Sequence, residues 1–196
     1  MTDHYLSWED LARHEVEGQD YLIEWRQSNP GILIMAPHGG KIELFTNQIA
    51  DELAGNKFSY YAFKGIKAHG NSHLHLTSHR FDEPTALKAV AEAEYVLTIH
   101  GEKSPNEQFI IIGGLDRELR EEFKHNLSTA GFNFRTKTKL EGISPLNICN
   151  RGRRHRGVQF ELSYGLRRAL VEDLARRQIF CDILQSILVR TAAQKP

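Results

Sequence analysis

The chain has 196 residues, which is enough for one compact domain whose core needs no disulfide scaffold. Its 25 Lys and Arg residues balance 25 Asp and Glu residues, and this zero net charge excludes a general attraction to nucleic acid or membrane surfaces. Cys149 and Cys181 form no C-x-x-C pair, and the sequence has neither a signal-peptide pattern nor the ~20-residue apolar run of a membrane span. We therefore predict a single domain over residues 1–196, synthesised in the cytoplasm without a signal peptide.

The first third of the chain predicts a short helix, a strand and a second helix. Ser7 followed by Asp10 is typical of a helix start, so we interpret residues 1–28 as a helical extension packed on the domain. The aliphatic run "GILIMA" predicts a buried strand between Asn29-Pro30 and Pro37. From residue 43 to 54 apolar residues recur at three to four positions, which predicts a helix ending at Gly55.

The middle of the chain alternates strand and helix patterns. Residues 58–65 are rich in aromatic residues and predict a strand, whereas residues 66–83 are polar and histidine-rich, with 74–78 the one short extended candidate. Pro84 opens a predicted helix that leads into an apolar strand ending at His100. Residues 108–114 predict a further strand that ends on two glycines.

The last third predicts the remaining elements of a layered domain. The predictions are a helix at 115–131, strands at 132–138 and 157–163, and a helical tail at 164–190. Strands that alternate with helices favour a single three-layer α/β/α domain around a mixed, mostly parallel sheet.

The stretch "APHGGKIE" places a histidine and a glutamate on either side of two glycines, directly after a predicted buried strand. If His38 ends the strand and Glu43 opens the helix, Gly39 and Gly40 can turn the chain so that both side chains meet. Such a pair could bind a metal ion. The alternative is a plain strand-to-helix turn in which Glu43 favours the helix N-terminus.

A second strand ends in the same way, because "YVLTIHGEK" places His100 after an apolar run and next to a glycine. If the two strands are neighbours, His38 and His100 emerge at one edge of the sheet. Two histidines and a carboxylate are the ligand set of a catalytic zinc that leaves one position open. The sequence therefore predicts a zinc site at His38, Glu43 and His100.

The strand "GVQFELS" carries a candidate general base. Glu161 alternates with apolar residues, and a carboxylate in a cleft beside zinc can take a proton from water. An ordinary solvent-facing glutamate would have the same pattern.

Five segments in order, "APHGGKIE", "SHRFDEP", "TIHGEK", "GGLD" and "NICNRGRRHRGVQFELS", resemble the poly-γ-glutamate hydrolase family. The likeness runs from about residue 30 to residue 190. It implies a phage-associated, zinc-carboxypeptidase-like enzyme that cuts γ-glutamyl amide bonds of the anionic polymer poly-γ-glutamate. It also implies that His38, Glu43 and His100 bind Zn²⁺ and that Glu161 is the base. Unlike the carboxypeptidase pattern, with two residues between the first His and Glu, this chain has four.

Substrate-binding candidates come from the same segments. Asn150 and Arg151 resemble the Asn-Arg pair with which zinc carboxypeptidases hold a substrate carboxylate, although here the pair follows His100. His79, in "SHRFDEP", is expected to face the cleft. A solvated basic loop or a nucleic-acid contact would also explain the arginines around Arg151, and His73 with His75 could form a rival metal site.

Two other functions remain compatible with the sequence. One is a zinc amidohydrolase of small N-acyl amino acids, and the other is a non-catalytic module that binds polyanions or nucleic acid. We expect the polymer as partner rather than nucleic acid or a membrane, and the sequence carries no signal for the oligomeric state. An enzyme that acts on a capsule without a signal peptide would have to leave the cell by lysis or another route.

Overall fold

The computed structural model, which describes residues 3–28 and 31–194, contains one six-stranded sheet. In chain order its strands are β1 (Tyr21–Arg26), β2 (Ile32–Gly40), β3 (Ser59–Gly65), β4 (Tyr95–Glu102), β5 (Ile110–Gly113) and β6 (Val158–Ser163). The helices among these residues are α1 (Trp8–Ala12), α2 (Thr46–Ala54), α3 (Pro84–Glu92), α4 (Arg117–Thr129), α5 (Tyr164–Glu172) and α6 (Leu174–Ala193). Short 3-10 turns cover Asn71–Leu74, Thr138–Leu140 and Ile148–Arg151.

The sheet is mixed and mostly parallel, as predicted. Its strand order is β1-β3-β2-β4-β6-β5, with the four central strands parallel and the two edge strands antiparallel to their neighbours. Because parallel strands point the same way, the carboxyl ends of β2, β4 and β6 lie side by side. This edge of the sheet is where His38 and His100 were expected to meet.

Helices cover both faces of the sheet, which gives the predicted three layers. Successive residues of β2 serve opposite cores, because side chains alternate across a strand: Ile34 packs with the α2, α4, α5 and α6 side, and Met35 packs with the α1 and α3 side. Every residue of β2 except the last, Gly40, is buried, and this is why the sequence has a continuous apolar run.

The prediction of a helical extension over residues 1–28 is wrong for its second half. Within its described part only Trp8–Ala12 is α-helical, and β1 pairs antiparallel with β3 from Tyr21↔Gly65 to Arg26↔Tyr60. The strand was missed because charged residues interrupt its alternation. In the structure Glu24 bonds to Lys64 of the neighbouring strand, and Arg26 bonds to Asp51 of α2, so both charges are tolerated at the edge.

Two other predicted strands do not form. In residues 132–138 the pairing is a single bridge between Ile110 and Phe134, after which Arg135 turns its side chain to Glu107. Residues 74–78 follow a 3-10 turn and have no strand partner among the described residues. The boundary predicted at Asn29-Pro30 lies outside the described residues.

The helical tail consists of two helices rather than one. Asp173 ends α5 and caps α6, because its carboxylate accepts a hydrogen bond from Arg176 N. Across the described part of the chain, no helix is both long enough and apolar enough to cross a bilayer.

Gly40 allows β2 to end in contact with β3. Its φ is +63°, in the left-handed region, and a Cβ on it would lie 2.4 Å from the Gly65 carbonyl oxygen. A residue with a side chain would therefore be strained in its backbone and would also collide with the neighbouring strand.

We expect Gly40→Ala to lower the free energy of unfolding by about 3 kcal/mol or more, since it combines positive-φ strain with a backbone clash. Gly131→Ala is the matched control, because Gly131 also has a positive φ of +85° but nothing within 4 Å of its ideal Cβ. It should cost only about 1 kcal/mol. Equal losses for the two variants in urea unfolding would contradict the steric part of this account.

Candidate metal centre

A β-bulge aims His38 into the site. The pairing of β2 with β3 shifts between Ala36↔Ala62 and Gly39↔Lys64, so β2 carries one extra residue there. Pro37 lies in this shift and has no N–H to donate to the ladder, which is a common cause of a bulge. The His38 side chain is buried at the end of the strand.

Glu43 folds back onto His38 across the two glycines. The backbone closes the turn through Glu43 N, which donates to the His38 carbonyl at 3.0 Å. The Glu43 carboxylate then lies with Oε1 3.3 Å from His38 Nδ1, while Oε2 accepts a 2.7 Å hydrogen bond from Gly101 N. The helix itself begins three residues later than predicted, at Thr46, so Glu43 belongs to the turn.

His100, on β4, completes the cluster. Its Nδ1 is 3.1 Å from His38 Nδ1 and 3.8 Å from Glu43 Oε2. The structure therefore brings together the three residues that the sequence selected.

The second nitrogen of each ring is occupied on the other side. His38 Nε2 donates to the Leu76 carbonyl at 2.8 Å, because a carbonyl can only accept, and His100 Nε2 contacts Ser78 Oγ at 3.4 Å. This leaves Nδ1 of His38 facing Nδ1 of His100. Two imidazole nitrogens and a carboxylate in such proximity are a donor set that suits zinc.

Burial and one carboxylate charge determine the ionisation of the cluster. Burial would lower the pKa of His38, but the Glu43 charge and hydrogen bond raise that pKa above its ordinary value. The pKa of His100 falls to about 3, because of burial first and the neighbouring His38 second. Burial would raise the pKa of Glu43, but His38 lowers it overall, so Glu43 is an anion at neutral pH.

Glu161 lies beside this cluster through the register of the sheet. Parallel pairing of β4 with β6 aligns His100 with Glu161. The Glu161 side chain is 7% exposed and its Oε1 accepts a 3.1 Å hydrogen bond from Gln159 Nε2. Burial, and then the Glu43 charge, raise its pKa well above the ordinary value. The alternative of a solvent-facing glutamate is wrong, because both faces of β6 are covered.

Arg167 is a buried cation that the sequence analysis missed. From α5 it donates to the carbonyls of Leu162, Leu44 and Glu102. Its guanidinium lies against Gly101, where a Cβ would be 2.5 Å from Cζ. Burial lowers the Arg167 pKa, while Glu43 and Glu161 oppose that effect, so its charge balances the two carboxylates. In the sequence it is one of several arginines in a helical pattern, with no feature that distinguishes it.

His75 also faces the cluster. Its ring centroid is 4.1 Å from that of His38, and His38, Glu43 and His75 each offer a ligand atom within 4.8 Å of the others. The rival metal pair of His73 with His75 does not form, since His73 is exposed and stacks on His4.

The cluster forms the floor of a cavity of about 940 Å³. His79 lies on its wall, as predicted. Three lysines also line the cavity, namely Lys41, Lys103 and Lys137. These lysines carry no motif in the sequence and were not predicted as site residues.

Asn150 and Arg151 are absent from the described wall of this cavity. Both polar atoms of the Asn150 amide form hydrogen bonds within the protein. Oδ1 accepts from the N–H groups of Leu115 and Gly157, and Nδ2 donates to the carbonyls of Gly142 and Ser144. Arg151 donates to the Phe81 carbonyl at 3.1 Å. Both residues thus fix loops in this structure, and their contact with substrate stays a prediction.

The neighbouring arginines are also engaged within the fold. Arg154 bonds to the buried Asp116 at 2.6 Å and stacks on the Tyr95 ring, and Arg156 lies near the same Asp116 carboxylate. Arg154 is therefore not a freely solvated side chain.

The sequence model of the poly-gamma-glutamate hydrolase family matches residues 5–180 of this chain. The YndL protein of Bacillus subtilis strain 168 is 37% identical over 171 residues, which cover 86% of this chain and 67% of YndL.

Two solved structures superpose closely. A bacteriophage poly-gamma-glutamate hydrolase has a TM-score of 0.92 at 28% identity, covering 99% of this chain and 100% of the phage chain. A zinc-free apo form of YndL has a TM-score of 0.88 at 33% identity, covering 97% of this chain and 99% of the YndL chain.

The role of Asn150 can be tested by removing its amide. Asn150→Ala leaves two buried N–H groups and two carbonyls without their partner, so the free energy of unfolding should fall by about 3 kcal/mol or more. Arg151→Gln, the control, loses one bond to a carbonyl and should cost less than about 1 kcal/mol. Urea unfolding measures both, and a stable Asn150→Ala variant would remove the structural assignment.

Proposed function

The chain belongs to the poly-γ-glutamate hydrolase family, and from that premise we propose that it is a zinc-dependent enzyme that cleaves γ-glutamyl amide bonds of poly-γ-glutamate. The observation that carries the zinc part is the 3.1 Å approach of His38 Nδ1 to His100 Nδ1 beside the Glu43 carboxylate. It is also supported by YndL, since the apo form of that protein is distinguished as zinc-free.

His38, Glu43 and His100 would hold the ion. When bound, zinc supplies a Lewis acid that polarises the scissile carbonyl and makes water more acidic. The Leu76 carbonyl fixes the His38 tautomer, and the Gly101 N–H fixes one Glu43 oxygen, so the ligands are oriented before the ion arrives.

Glu161 would act as the general base. Its burial beside another carboxylate raises its affinity for a proton, which suits a group that must take a proton from the attacking water and pass it to the leaving amine. The Gln159 amide, bonded to one Glu161 oxygen, holds the carboxylate in place. Arg167 would keep the local charge balanced as the proton moves.

The substrate contributes one carboxylate per residue, and the cavity wall offers matching positive charge. Lys41, Lys103 and Lys137 line the cavity, so a chain without net charge still has a local cationic surface. Lys137 is already paired with Glu102 at 3.3 Å, which leaves it partly compensated. His79 would contact substrate from the same wall.

Incubation with poly-γ-glutamate tests the substrate and the metal together. We expect the polymer to shorten, as measured by size-exclusion chromatography, and we expect a chelator to stop this and added Zn²⁺ to restore it. Small N-acyl amino acids serve as the comparison substrate. Their cleavage while the polymer remains intact would favour the amidohydrolase alternative and overturn this proposal.

The base assignment predicts a separate effect of Glu161→Gln. This variant should retain stoichiometric zinc and lose about a hundred- to ten-thousand-fold in kcat, because it cannot accept the proton. His38→Ala is the comparison and should lose both zinc and activity. Full activity of Glu161→Gln would remove Glu161 from the mechanism.

A further inference from the structure

The N-terminal segment places a buried carboxylate on a histidine of the cavity. The Asp3 side chain is 2% exposed, and its Oδ1 lies 3.0 Å from His75 Nδ1. The same carboxylate accepts hydrogen bonds from Thr77 Oγ1 at 2.8 Å and from Thr77 N at 3.0 Å. Asp3 is therefore held at three points, and it holds His75 in turn.

This contact determines which nitrogen of His75 is free. An ionised carboxylate only accepts hydrogen bonds, so His75 Nδ1 carries the hydrogen and Nε2 is left with a lone pair. The Thr77 N–H donates to the second oxygen of the same carboxylate, so both Asp3 oxygens act as acceptors.

His75 lies against the candidate metal centre. His75 lines the cavity, its ring lies 4.1 Å from that of His38, and the ligand atoms of His38, Glu43 and His75 lie within 4.8 Å of one another. Histidines that bind metals commonly donate their other N–H to a carboxylate, which fixes the tautomer and makes the ligand more basic.

We propose that His75 is a further ligand of the metal centre and that Asp3 is the positioning residue that orients it. This inference rests on the proposed zinc function. It adds a fourth protein donor to His38, Glu43 and His100, and catalytic zinc sometimes reaches five-coordination.

The rest of the N-terminal segment is fastened to the same part of the chain. Tyr5 OH donates to Glu15 at 2.7 Å, and Glu15 in turn pairs with Lys67. Trp8 N donates to Asp82 at 2.6 Å. These contacts flank His75 on both sides, so Asp3 is held against His75 by the fold rather than by a single bond.

The test is zinc affinity, measured by competition with a chromogenic chelator, and it requires no turnover. Asp3→Asn should weaken zinc binding by about ten-fold, within the range found when a ligand-orienting partner is lost, and His75→Gln should weaken it further because the ligand itself is lost. His73→Gln is the control on the same segment and should leave the affinity unchanged, since His73 is exposed and stacks on His4.

Thr77→Val separates orientation of His75 from anchoring of the segment. It removes the Thr77 hydroxyl from Asp3 and keeps the Asp3 contact with His75, so zinc affinity should stay within about two-fold of wild type. A loss equal to that of Asp3→Asn would mean that Asp3 acts only by fastening the chain, and would overturn its positioning role. If Asp3→Asn does not fold, as judged by circular dichroism, the near-isosteric His75→Gln decides the ligand assignment.

Wild type and His38→Ala separate this inference from the proposed function. If neither protein binds zinc, or both bind it equally, the zinc centre itself is wrong. If wild type binds zinc, His38→Ala does not, and His75→Gln binds as tightly as wild type, then only the further ligand is wrong.

Discussion

Two carboxylates buried in one cavity are the constraint on which the rest of the site depends. Glu43 and Glu161 repel each other where little water screens them. The two carboxylates have different hydrogen-bond partners. Glu43 receives the Gly101 N–H and two imidazoles and stays ionised, whereas Glu161 receives one amide and holds a proton more readily. The difference in environment gives the two acids different affinities for a proton.

Arg167 makes this arrangement tolerable. All the described hydrogen bonds of its guanidinium go to backbone carbonyls. Its charge is therefore not paired with a single carboxylate and acts on both Glu43 and Glu161. Gly101 is part of the same arrangement, because only a residue without a side chain leaves room for the guanidinium beneath β4. The positive charge and the strand are thus packed as one unit.

The residues that could be predicted from the sequence are those that follow long apolar strands. His38 and His100 were found because each ends such a strand, and parallel strands bring their ends together; the neighbouring glycines indicated that Glu43 could fold back. Glu161 was found from the alternation in β6.

His75 lies in an irregular segment and Arg167 in a helix. In both places the residue spacing does not show where a side chain points, so only the folded chain brings these residues to the site. The structural role of Asn150 and Arg151 was not predicted, because a sequence that resembles a substrate-binding pair also suits residues that connect loops. The edge strand β1 was missed because its charges find partners only in the tertiary structure.

The strand order has a consequence for how the enzyme is made. The central pairs join β2 to β4 and β4 to β6, partners separated by long stretches of sequence, and no local hairpin contains the cluster. Folding must close these large loops before His38 and Glu43 meet His100, which is slow compared with the formation of the helices. A nascent or partly folded chain therefore lacks the assembled cluster, which forms late, together with the completed sheet.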